Sequence, residues 1–132
     1  MRVLIPFISL CPNLKPIKKI LFIDDEPTLL ELAPLLFDEY DVLASNDAEY
    51  VFDLIDKFIP DIILLDIIMG LNNGLEICRA IKASPLHAHI PVILMTAGTL
   101  RDEFQQYGAD GIIEKPFDIP LVKSLINNHL GF

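Results

Sequence analysis

Acidic and polar residues stand where the apolar runs of this chain stop. Ile20-Leu21-Phe22-Ile23 is followed at once by Asp24-Asp25-Glu26, Ile62-Ile63-Leu64-Leu65 by Asp66, Val92-Ile93-Leu94-Met95 by Thr96, and Gly111-Ile112-Ile113 by Glu114-Lys115-Pro116. If the runs are neighbouring parallel strands, these side chains converge on one sheet edge, where open α/β sheets bind their ligands. Three carboxylates gathered there repel one another, which raises the pKa of at least one unless a cation compensates. A hard divalent ion with oxygen ligands answers that need, and magnesium is the obvious candidate. Lys115 adds a fixed positive charge and Thr96 a hydroxyl donor, so the set offers a nucleophilic carboxylate, a metal site and two groups to receive phosphoryl oxygens. The chemistry predicted is phosphoryl transfer.

Such convergence needs a parallel sheet, and the apolar patterning predicts one. The three long runs are continuously hydrophobic rather than alternating, as in strands covered on both faces. Shorter strands are expected at Val42-Leu43-Ala44 and Gly111-Ile112-Ile113. Segments with helical spacing lie between them: Ala48-Phe52-Ile55 ahead of Pro60, Leu75-Cys78-Ile81 ahead of Pro85, and a Leu100-Phe104-Tyr107 stripe. Asn46 or Asp47 is expected to cap the helix that starts near Ala48, and Asp118 the last one, where Leu121, Leu125 and Ile126 share a face. The first helix, near Pro27 to Asp38, contains Pro34, which removes a backbone hydrogen bond and predicts a kink or an early end. Five strands alternating with five helices give an α/β fold: a doubly wound parallel sheet with right-handed crossovers and helices on both faces.

Composition bounds what such a fold does. The 132 residues are 52% apolar and 22% charged, which suits one ordinary domain and excludes intrinsic disorder. The formal charge is −9, and from residue 20 onward nineteen acidic residues face only six basic ones. So negative a surface argues against direct binding of nucleic acid or anionic membrane and suits a metal cation or a basic protein patch. Cys11 and Cys78 lie far apart with no ligand-spaced partner, so neither a disulfide framework nor zinc is supported, and a reducing cytoplasm is the expected setting. Residues 1–18 carry three prolines and no clean period, and read as an N-terminal extension, disordered or left by cloning, ahead of a domain at 19–132. Pro6 and the lack of a small-residue cleavage site argue against a signal peptide, and no apolar run reaches the roughly twenty residues of a membrane span.

From about Lys19 to Leu130 the chain resembles the receiver domain of two-component response regulators. The likeness rests on Ile20-Leu21-Phe22-Ile23-Asp24-Asp25-Glu26-Pro27, Pro60-Asp61-Ile62-Ile63-Leu64-Leu65-Asp66, Gly74, Thr96-Ala97, and Gly108-Ala109-Asp110-Gly111-Ile112-Ile113-Glu114-Lys115-Pro116-Phe117. It implies a flavodoxin-like strand order 2-1-3-4-5, an order that general fold rules already illustrate with a chemotaxis receiver. It implies that Asp66 accepts a phosphoryl group from a histidine kinase or phosphotransfer protein, that Asp24 and Asp25 hold magnesium directly or through water, and that Asp66 and the backbone carbonyl of Ile68 complete the metal site. Thr96 then moves to hydrogen-bond the phosphoryl group, and Lys115, ahead of a cis bond to Pro116, pairs with it. Signalling passes to a downstream protein or output domain, and a homodimer through a face containing Phe104, Ile112 and Glu114 is a further implication.

Several positions depart from the family pattern. Gly70 replaces a usual proline and Asn73 a usual aspartate, which predicts a looser loop after Asp66. Ile112 occupies the place of an aromatic switch residue, and a branched aliphatic does not reproduce an aromatic ring's rotation. Ile68 offers no side-chain hydrogen bond to an attacking water, which predicts a long-lived acyl phosphate. Two other readings stand beside the receiver. A degenerate receiver would bind partners without phosphorylation, and an aspartyl-nucleophile phosphatase would need a second aspartate where this chain has Ile68. By the receiver reading the chain is not an enzyme beyond its own phosphorylation and dephosphorylation. Glu26 is expected only to favour the positive end of the first helix, and Cys78 to be an inert packing thiol. His87, His89 and His129 are expected on surface loops or a helix end.

Overall fold

Strands form where the apolar runs were expected, because residues apolar on both faces lose water only between two layers. In the computed structural model, which describes residues 16–98 and 104–131, these are β1 (Lys19–Ile23), β2 (Asp41–Ser45), β3 (Ile62–Asp66), β6 (Val92–Thr96) and β7 (Gly111–Glu114). They pair in parallel in the order β2-β1-β3-β6-β7, which is the predicted 2-1-3-4-5 once two short strands, β4 (Ile68–Met69) and β5 (Asn72–Asn73), are set aside. Helices α1 (Pro27–Leu36), α2 (Val51–Phe58), α3 (Gly74–Ala83) and α4 (Ile119–Leu130) cover the sheet. One core joins α2 and α3 to the Leu21, Ile63, Leu65 and Leu94 side of the sheet. The other joins α1 and α4 to the side carrying Phe22, Leu64, Ile93 and Met95.

Some expected details differ. Four α-helices are present among the described residues, not five: where the fourth was expected, Phe104–Tyr107 form one 3₁₀ turn, and Leu100 lies outside the described residues. So do Cys11 and the possible signal segment; of the predicted extension only residues 16–18 are described, and the Lys18 carbonyl already accepts from the Asp41 N–H. The second helix does begin at Ala48, as a 3₁₀ turn running into α2, but neither Asn46 nor Asp47 caps it. The Asp47 N–H is instead held by Ser45 Oγ at 3.0 Å. Asp118 does cap α4, accepting from the Leu121 N–H at 3.2 Å. The buried pair on α4 is Val122 and Ile126, one turn apart, while Leu121 is mostly exposed. Pro34 sits inside α1, which ends two residues later.

Candidate functional site

Register brings the site together. Ile23 pairs with Leu65, so the residues that follow, Asp24 and Asp66, leave adjacent strands side by side. Thr96 pairs with Glu114, which places Lys115 one step beyond on the outer strand. All four reach one cavity of about 350 Å³, together with Asp25, Glu26, Ile67, Ile68 and Ala97. Asp24 and Thr96 are buried, Asp66 nearly so, and Asp25 is exposed at the mouth.

One lysine serves two acids. Lys115 Nζ lies 2.6 Å from Asp24 Oδ2 and 3.5 Å from Asp66 Oδ2. Asp24 Oδ1 accepts a further bond from the Glu26 N–H at 3.0 Å. Burial and the charge of Asp24 push the Asp66 carboxyl up to about 6, although Lys115 pulls against both. Burial alone would lower Lys115, but its bond to Asp24 and the charges of Asp24 and Asp66 outweigh that and leave it above the usual lysine value. Thr96 Oγ1 accepts from the Gly98 N–H at 2.9 Å, and the Lys115–Pro116 peptide is cis.

Carboxylate oxygens of Asp24, Asp25 and Asp66 all lie within 4.8 Å of one another. An octahedral magnesium ion, with oxygen ligands at about 2.1 Å, places opposite pairs roughly 4.2 Å apart, so the three carboxylates need draw in by only about half an ångström to hold one. Charge fits too: three carboxylates against one ammonium leave an excess of two negatives, which a divalent cation cancels.

The loop after Asp66 is not loose. Ile68–Met69 and Asn72–Asn73 pair antiparallel around Gly70-Leu71, forming a hairpin with Gly70 at φ +59°. Glycine adopts that angle at no steric cost, so the residue that replaces a proline supplies the turn. Asn73, in place of an aspartate, caps α3 by accepting from the Leu75 N–H at 2.9 Å. The hairpin leaves the Ile68 side chain 74% exposed at the rim of the cavity. Ile112 is half-buried and, like Phe104 and Tyr107, packs against the core that α2 and α3 share with the sheet. A second, apolar cavity of about 420 Å³ opens there, with Phe104, Ile112, Glu114, Leu121 and Leu125 in its lining.

Sequence patterning missed one polar cluster entirely. His87 is buried rather than on the surface, with Nε2 at 2.8 Å from Asp56 Oδ1 and Nδ1 at 2.7 Å from Ser84 Oγ. Its ring also packs edge-on against Phe52 of α2. Ser84 stands three residues before His87, but Asp56 comes from α2, 31 residues away, and no local spacing signals that contact. His89 is exposed and His129 closes α4, as expected.

Comparison with known proteins bears on the same geometry: the response regulator receiver domain family matches residues 20–127. The chain belongs to that family. This receiver is 36% identical over 105 residues to the response regulator PleD of Caulobacter vibrioides, covering 76% of this chain and 23% of PleD. It is 32% identical over 115 residues to a probable cyclic di-GMP phosphodiesterase of Vibrio cholerae, covering 84% of this chain and 26% of that protein. The receiver thus spans about a quarter of the length of these two relatives. Among solved structures, the receiver domain of a signal transduction histidine kinase from Syntrophus aciditrophicus superposes with a TM-score of 0.76 at 28% identity, covering 86% of this chain and 90% of that one. The receiver domain of a sensor histidine kinase from Pseudomonas aeruginosa, whose structure holds magnesium in the active-site cleft, gives 0.78 at 21% identity, covering 89% and 100%.

Proposed function

We propose that Asp66 accepts a phosphoryl group from the phosphohistidine of a histidine kinase or phosphotransfer protein, in a magnesium-dependent reaction, and that the phosphorylated domain signals by binding another protein. The observation that carries this reading is the meeting of three carboxylates, one lysine and one threonine in a single cavity at the sheet edge. An Asp66 carboxylate oxygen forms the new bond to phosphorus as the histidine nitrogen–phosphorus bond breaks, leaving an acyl phosphate and a free imidazole. Asp25 and Asp66, with the Asp24 carboxylate and the Ile68 carbonyl, would hold magnesium, which when bound supplies positive charge to the phosphoryl oxygens. Lys115 supplies a second cation, already poised between Asp24 and Asp66. Thr96, buried beside them, accepts from the Gly98 N–H through its oxygen and keeps its hydroxyl proton to give to a phosphoryl oxygen.

Incubation with acetyl phosphate and magnesium, read by intact mass, tests this. One added phosphoryl group, absent without magnesium and absent from Asp66→Asn, is the expected result. No gain under any condition would favour the phosphorylation-independent module, the reading that Ile112 at the relay position supports. The exposed Ile68 gives an attacking water no hydrogen bond, so the acyl phosphate should persist for minutes or longer, and decay within seconds would contradict that. Signal output goes to a downstream protein, an output domain or a second copy of this chain, and the setting is cytoplasmic.

A further inference from the structure

Helix α3 begins against the back of the nucleophile. A β-carbon built on Gly74 would lie 2.0 Å from the Asp66 carbonyl oxygen, 2.8 Å from Ile67 Cα and 2.9 Å from the Asp66 carbonyl carbon. All three are backbone atoms, so no side-chain rotation relieves the clash. The approach is locked in place: the Gly74 N–H donates to the Ile67 carbonyl at 2.7 Å, and the Ile67 N–H to the Met95 carbonyl at 3.0 Å. Residues 68–73 are therefore a hairpin whose two ends meet directly behind Asp66.

Register then settles where the hairpin's polar groups point. Antiparallel pairs alternate between hydrogen-bonded and non-bonded positions. Ile67 and Gly74 occupy a bonded position, so Ile68, paired with Asn73, occupies a non-bonded one. The Ile68 carbonyl is left out of the hairpin's ladder and free for other use.

We propose that Gly74 is a positioning residue: its bare α-carbon lets α3 and the hairpin close on the Asp66 peptide, which fixes the nucleophilic carboxylate and the Ile68 carbonyl relative to each other. This rests on the phosphoacceptor reading of Asp66. Any side chain at 74 must move the helix start or the Asp66–Ile67 peptide by about an ångström to reach an ordinary contact distance, and misplacement on that scale costs a reaction on the order of 100-fold.

The test compares wild type, Gly74→Ala and Gly108→Ala. Gly108 lies at the other end of the sheet, at φ +82°, and an added β-carbon there meets the Lys82 side chain at 3.0 Å, so it is a control for lost stability alone. At a temperature where circular dichroism shows all three folded, phosphorylation by acetyl phosphate in saturating magnesium should be roughly 10–100-fold slower in Gly74→Ala and within twofold of wild type in Gly108→Ala. Magnesium alone, titrated against the amide resonances of residues 66–68, should bind Gly74→Ala at least fivefold more weakly. Rates and magnesium affinities of Gly74→Ala within twofold of wild type, or no worse than those of Gly108→Ala, would overturn the proposal. If wild type binds magnesium but takes up no phosphoryl group, the phosphoacceptor reading fails, and the magnesium affinities alone decide the role of Gly74. If no variant binds magnesium, both fail.

Discussion

The two ends of the sheet treat charge in opposite ways. At the end where the strands begin, ionic groups are matched: the partly buried Lys82 Nζ sits 2.7 Å from Asp110 Oδ2 and also donates to the carbonyls of Ala88 and Ile90, while Asp110, itself exposed, accepts from the Val92 N–H. His87 is likewise held between Asp56 and Ser84, and Asp61 accepts from the Lys19 N–H at 2.8 Å. At the end where the strands stop, three carboxylates gather, one lysine pairs with two of them, and the Asp66 carboxyl is raised. The contrast separates groups that hold the structure from groups held ready for chemistry.

Four measurements break or sharpen that contrast. The largest expected effect on stability is at the paired end. Lys82→Ala leaves two carbonyls without a donor and removes the ion pair to the exposed Asp110, and should cost about 2 kcal/mol by urea denaturation. Phosphoryl uptake by the folded fraction should stay unchanged. A loss of uptake at full folding would show that the two ends are coupled.

At the unpaired end the sign reverses. Asp66→Asn removes one of the crowded charges and should stabilise the magnesium-free protein by about 1–2 kcal/mol at pH 7, a figure reduced from the full shift for solvent screening. Magnesium should then stabilise the wild type and have little effect on the variant. Thermal melts with and without magnesium check both statements, and a destabilised Asp66→Asn in chelator would refute the crowding argument.

The same group sets a pH dependence. Because the folded-state carboxyl, raised to about 6, lies above its ordinary value, the folded protein holds a proton there that the unfolded chain has released. Between the ordinary aspartate value and about pH 6, the magnesium-free wild type should therefore lose stability relative to Asp66→Asn as pH rises, with no further change from this group above pH 6. Denaturation of both proteins from pH 4.5 to 7.5 measures the gap between them.

The smallest effect lies at the end of α2, two residues before Asp61. Ile59 closes α2 at φ +53°, a left-handed angle that a β-branched residue adopts only at a cost, and its side chain is mostly exposed. Ile59→Gly should raise stability by about 1 kcal/mol without changing phosphoryl uptake. No gain would mean that the Ile59 side chain makes up elsewhere what its backbone costs.

Much of this was legible in the residues, for identifiable reasons. Continuous apolar runs located the central strands because burial on both faces permits no alternation, and the polar residue ending each run marked the site because strand ends converge in a parallel sheet. Asp118 was legible as a cap because capping is local. The hairpin at 68–73 was not: Gly70 and Asn73 read as departures that loosen the loop, whereas one supplies the turn and the other the cap. The role of Gly74 stayed hidden because it depends on how closely α3 packs behind β3. Buried His87 stayed hidden because its partners come from separate elements. Of the three-residue stripe that suggested a further helix, only Phe104 and Tyr107 fall among the described residues, in a single 3₁₀ turn.

Cys78 on α3 is fully buried, its S–H donates to the Tyr107 carbonyl at 3.5 Å, and burial pushes its thiol up to about 11. In the closed protein it is therefore silent to thiol reagents on two counts, lack of access and lack of thiolate. It becomes reactive only when α3 lifts from the sheet, and α3 is the helix whose first residue backs Asp66. In a Cys11→Ser background, the labelling rate of this one sulfur is a native clock for the opening of that helix, read without any added probe.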